Sequence, residues 1–128
     1  MRRFLIALAL ALSMGMTAAH AQTGPATATI DPMDMLASNL VGLEIHNAAN
    51  QDVGEIVDVV MGTSNNVKGY IVSVGGFLGV GTKYVVLAAS AVTISYNETE
   101  SAWKATMEVT KDQLGALPEY EYDGKFDD

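Results

Sequence analysis

The sequence predicts an all-β fold: a small closed or nearly closed β-barrel of five to six short strands with a short C-terminal helix. Three observations lead to it. Apolar residues recur at a period of two in short runs between residues 40 and 109, as strands with one buried face require. Glycine, asparagine and serine separate those runs at turn-like intervals. Once a leader is set aside, roughly a hundred residues remain, one domain's worth, and so short a chain covers two open sheet edges with difficulty, which favours closure.

Residues 1–21 read as a cleavable secretory signal. Arg2 and Arg3 open it, an apolar run follows from Phe4 to Met16, and Ala19-His20-Ala21 forms a small-x-small cleavage site. The run falls short of the ~20 residues that span a bilayer core, so cleavage is expected to leave no stable membrane insertion. A periplasmic location follows, with secretion beyond it as the other destination. Residues 22–36, with Pro25, Pro32 and small polar side chains, have the composition of a flexible linker. The domain is expected at 37–122 and a solvated acidic tail at 123–128.

Within the domain, Val41, Leu43 and Ile45 alternate with Gly42, Glu44 and His46, which predicts a first strand starting near Leu40. Residues 53–61 form a second, in which Asp58 interrupts Ile56, Val57, Val59, Val60 and Met61; a bulge or burial of both faces accounts for the irregularity. After a polar turn in which Asn65-Asn66 tolerates positive φ, Tyr70, Val72 and Val74 mark a third strand and residues 84–88 a fourth. Val92, Ile94 and Tyr96 mark the fifth. Trp103, Ala105, Met107 and Val109 alternate with Lys104, Thr106 and Glu108 in the last. Thr110 and Gln113 have capping-box spacing, so residues 111–116 are expected to be a short helix stopped by Pro118, with Leu114 and Leu117 closing one end of the core.

Laid out this way, residues 37–122 resemble the PRC-barrel family, which is related to the cytoplasmic domain of the photosynthetic reaction-centre H subunit. The resemblance is carried by Leu40-Val41-Gly42, by Gly54-Glu55-Ile56-Val57-Asp58-Val59, by the run from Val67 through Gly75-Gly76-Phe77-Leu78-Gly79-Val80-Gly81, and by Thr110-Lys111-Asp112-Gln113-Leu114. It implies a short-stranded barrel used for protein interaction or assembly. It supplies no catalytic residues to carry over.

The chemistry of the chain agrees with a binding role. There is no cysteine, which excludes disulfides, thiolate metal sites and a cysteine nucleophile. The net charge of −8 becomes more negative when Arg2 and Arg3 leave with the leader, so phosphate backbones are repelled and nucleic acid is not an expected partner. The glycines before Thr82-Lys83 lack the order and the following helix of a phosphate-binding loop. They leave Gly76, Phe77, Leu78 and Gly79 as either a core plug or a partner-contact loop. His46 stands alone without a second ligand, and no serine has a histidine at suggestive spacing. Trp103 shares a face with Met107 and Val109 and is expected in the core. Asp58 is expected to be a structural carboxylate accepting N–H bonds from the turn at residues 65–68.

The sequence reading is therefore a non-enzymatic, exported interaction or scaffolding module with no cofactor and no metal. Its expected partner is an envelope protein or a second copy of itself. The alternative is a small-ligand or ion-binding barrel protein of the cell envelope, with Asp58 as a polar anchor.

Overall fold

The computed structural model describes residues 24–75 and 81–127, together with Gly15. Residues 24–31 carry no helix or strand and are exposed. The folded unit begins at Pro32.

Its first element is α1 (Ala37–Leu40), a single helical turn where the sequence predicts the start of a strand. The spacing of Leu40 and Leu43 serves a helical turn as well as a bent strand, and Gly42, at φ +91°, lets the chain reverse between them. The Gly42 N–H then reaches the Ile56 carbonyl at 2.7 Å, and Leu40 is buried. This shortens β1 to Glu44–His46, with Ile45 fully buried at its centre.

β2 (Asp52–Met61) pairs antiparallel with β1 and with β3 (Val67–Val74). The expected bulge is present: the β2–β3 register shifts between Ile56 and Asp58, leaving Val57 as the extra residue. With strict alternation, Ile56 and Asp58 would share a face. The bulge instead keeps Ile56 in the core, sets Val59 opposite buried Tyr70, and turns Asp58 to the outer face opposite Ile71. The β2–β3 turn contains Asn65 at φ +61°, closed by the Gly62 N–H donating to the Asn66 carbonyl at 2.7 Å.

β4 (Lys83–Ala88) follows on β3 in unbroken antiparallel register. A 3₁₀ turn at Ala89–Ala91 leads to β5 (Thr93–Asn97), which forms a hairpin with β6 (Ala102–Thr106). β6 lies parallel to β1, with Ile45 beside Ala105. The sheet order is β4-β3-β2-β1-β6-β5.

Hydrogen bonds do not close this sheet into a barrel: β4 and β5 are its two ends. The reason lies partly in the C-terminal segment, because the Tyr120 N–H donates to the outward-facing Tyr84 carbonyl of β4 at 2.8 Å. One edge is thus capped from within the chain rather than by a strand.

The core gathers Ile45, Val53, Ile56, Val72, Val85, Leu87 and Ala105, with Ile94 packed against them. α2 (Lys111–Gly115) closes one end. Its capping box is formed: the Gln113 N–H donates to Thr110 Oγ1 at 3.1 Å and the Thr110 N–H to Gln113 Oε1 at 2.9 Å. Leu114 is fully buried and Leu117 partly so. Trp103 is half-buried and lies outside the core cluster, correcting its expected place; it stands edge-to-face with Tyr96 at 5.2 Å, its cross-strand partner in register.

Candidate functional site

The bulge in β2 determines what the outer face of the sheet presents. Asp58, Ile71 and Val86 fall in register across β2, β3 and β4 and so form one row on the side away from the core. Ile71 is nevertheless only 4 % exposed, while Val86 beside it is 48 % exposed. Tyr120, Tyr122, Lys125 and Phe126 of the C-terminal segment line the same concavity as both residues.

That concavity is a cleft of about 1150 Å³. Its floor is Val60, Gly69, Ile71, Val86 and Ala88, and its cover is Tyr120, Tyr122, Lys125 and Phe126, with Asp58 and Lys68 at its rim. Three tyrosines hold the cover in place. Tyr84 and Tyr122 meet edge-to-face at 5.7 Å, and Tyr122 and Tyr120 at 5.1 Å. A 3₁₀ turn at Gly124–Phe126 follows, with Lys125 Nζ 4.9 Å from the centre of the Phe126 ring.

Asp58 holds a different set of partners from the one the sequence predicts. Its Oδ1 accepts the N–H of Val59 at 2.8 Å, and its Oδ2 accepts the Tyr122 O–H at 3.3 Å; the turn at 65–68 gives it no bond. The bulge is the cause, because it directs the carboxylate across the outer face. The Tyr122 phenol is pushed up to about 12, first by burial, then by the charge of Asp58 and the hydrogen bond to it, with smaller contributions from Tyr120 and Tyr84.

The other residues singled out by the sequence stand apart from the cleft. His46 is half-buried, with Nε2 3.8 Å from Glu44 Oε2. Lys83 donates from Nζ to the Gly115 carbonyl at 2.8 Å and so ties β4 to the end of α2. Gly76, Phe77, Leu78 and Gly79, the expected contact loop, lie outside the described residues. Among the described residues no three His, Asp or Glu side chains converge as a metal-ion set, and no helix is long and apolar enough to cross a membrane.

The sequence reading missed the cover of the cleft. A signal for it does exist: Glu119-Tyr120-Glu121-Tyr122-Asp123 alternates aromatic and acidic residues at period two, the pattern of an extended segment with one face laid on protein.

The fold and the cleft can be set beside known families. A model of the PRC-barrel domain matches residues 33–114, from just before α1 into α2. The chain belongs to the PRC-barrel family. A comparison with curated proteins gives no match. The PRC-barrel match contains the floor of the cleft, including Asp58, Ile71 and Val86, and ends before Tyr120. The cover is thus an addition beyond the matched span.

Proposed function

We propose that this chain is an exported, non-catalytic PRC-barrel module that acts in the periplasm by docking on an envelope protein or on a second copy of itself. The observation that carries the reading is the cleft on the outer face. It has an apolar floor and an aromatic cover, and at its rim one carboxylate is bound to one phenol. A general acid or base working near neutrality needs a pKa near 7, and burial, together with the pairing to Asp58, drives Tyr122 the other way, to about 12. Concave apolar surface with few polar groups suits recognition. The export part rests on Arg2, Arg3, the apolar run after them and Ala19-His20-Ala21. The barrel part rests on the core, where Val85 and Leu87 of β4 and Ile94 of β5 join one cluster although the two strands share no ladder.

The test is site-specific photo-crosslinking in the cells that make the protein. A photo-reactive residue at Val86 is expected to give a defined adduct with one envelope protein or with a second copy, while the same probe at Thr93 on the opposite edge does not; a probe at Phe77 examines the loop. No adduct from Val86 or Phe77, together with a strictly monomeric mass, would overturn the docking role. Amino-terminal sequencing of the mature protein is expected to begin at Gln22, and an intact Met1 would overturn export.

The volume of the cleft favours one second reading, a small ligand held there with Asp58 as anchor. Native mass spectrometry of protein purified without denaturation is expected to show a retained mass under that reading, and a clean polypeptide mass removes it.

A further inference from the structure

β4 ends the sheet, and its edge is only partly used. The Tyr84 carbonyl accepts the Tyr120 N–H and is therefore turned away from β3. In an antiparallel strand every second residue turns its amide and carbonyl to the same side, so Val86 and Ala88 also direct theirs outward. Among the described residues, no turn or loop hydrogen bond reaches Val86, while the Ala88 carbonyl opens the 3₁₀ turn at Ala89–Ala91, which leaves the Val86 amide and carbonyl and the Ala88 amide as the open groups. The open rail lies on the wall of the cleft, beside the exposed Val86 side chain.

The charge around this rail has one prevailing sign. Asp58 lines the cleft, and Glu119, Glu121 and Asp123 are exposed on the segment that carries Tyr120 and Tyr122; Lys68 and Lys125, which also line the cleft, stand against these four. The whole chain carries −8.

We propose that the β4 edge at Val86 and Ala88 takes an extended, basic segment of another protein as an added strand. The inference rests on the docking reading above and specifies its partner. The main chain of the incoming segment bonds to the open amides and carbonyl, as in strand addition to other sheet edges. Lysine or arginine at alternate positions lays its methylene stem over Val86 and Phe126 and carries its charge to Asp58, Glu119 and Glu121. An acidic segment meets like charge at the same positions and is rejected.

The experiment titrates the isotope-labelled chain with a short synthetic peptide of alternating lysine and valine, and with its glutamate–valine counterpart. The lysine peptide is expected to bind saturably, to shift the amide resonances of Val86 and Ala88, and to weaken ~10-fold or more from low to near-physiological salt. The glutamate peptide is expected not to bind. Val86→Pro removes an outward N–H that an edge strand can spare; binding is expected to fall at least ~10-fold while the resonances of Ile45 and Ala105 stay in place. Should that variant misfold, Glu119→Gln combined with Glu121→Gln leaves the backbone alone and is expected to weaken the lysine peptide several-fold. Equal binding of both peptides, undiminished binding to both variants, or no binding of the lysine peptide overturns the proposal. If the lysine peptide fails while the Val86 crosslink still gives a defined adduct, the partner chemistry falls and the docking reading stands.

Discussion

Replacing Gly69 with alanine puts a methyl group into the ladder between β3 and β4. A Cβ at this position lies 2.3 Å from the Leu87 carbonyl oxygen and 3.2 Å from its carbonyl carbon. Non-bonded heavy atoms settle near ~3.5 Å, so the shortfall to the oxygen is about 1 Å, and the obstruction is backbone, not a side chain that can swing aside. β4 cannot easily retreat, since Val85 and Leu87 are both buried in the core. Overpacking of this kind costs about 1–3 kcal/mol, and alanine regains about 0.5–1 kcal/mol of the entropy that glycine loses in a strand. The net expectation, at the upper end because the clash is with backbone, is a loss of about 2 kcal/mol. Gly115→Ala is the matched control, because no atom lies within 4 Å of its Cβ position; in α2 it is expected to stabilise by up to ~1 kcal/mol. Urea unfolding followed by the fluorescence of half-buried Trp103 reads both changes. With a slope of about 1–3 kcal/mol per molar, Gly69→Ala lowers the midpoint by about 1 M and Gly115→Ala raises it slightly. A midpoint for Gly69→Ala at or above that of the parent would refute the packing argument.

Four further outcomes are expected. Thr110→Ala removes the acceptor for the Gln113 N–H and is expected to cost about 1 kcal/mol in the same unfolding assay. Leu114→Ala empties a fully buried position where α2 meets the core and is expected to cost about 2–5 kcal/mol, enough to bring the thermal midpoint down by many degrees. In a spectrophotometric titration Tyr122 is expected near 12; Asp58→Asn, which removes the charge but not the burial, is expected to bring it down without returning it to 10.0. Because the folded state raises this pKa, the contribution to stability is whole below pH 10.0 and is lost as the pH climbs towards 12, so Tyr122→Phe should flatten that part of the alkaline stability profile.

The parts of the fold that were legible in the sequence are those set by neighbours along the chain. The alternation of Tyr70, Val72 and Val74 foretold a strand with those side chains inward; Thr110 and Gln113 foretold the cap, and Asn65 the positive φ of the turn. Asp58 was legible as an anomaly, and the bulge that resolves it was one of two readings open. Its partner was not legible, because Tyr122 lies 64 residues further on and meets it only when the outer face exists. The first strand was misjudged at its start for a local reason: Leu40 and Leu43 satisfy a helical turn as well as a strand, and Gly42 decides between them through a φ that the residue permits but does not demand. Closure was inferred from the need to cover edges, and the chain meets part of that need with Tyr120 instead.

The parallel contact of β1 with β6 governs when the sheet can be finished. Every other ladder joins strands that follow one another in the chain, whereas this one sets Ile45 against Ala105 and His46 against Thr106, with the Met107 N–H on the His46 carbonyl. A chain made from its amino terminus can pair β1 to β4 as they emerge, but one side of β1 stays unpaired until the last strand has been synthesised. Contacts so distant in sequence form late and slow folding. The seam is also short, so it is the natural place for the two halves to part first on unfolding, and the amide of Met107 is expected to exchange with solvent well before that of Val72 in the middle of β3.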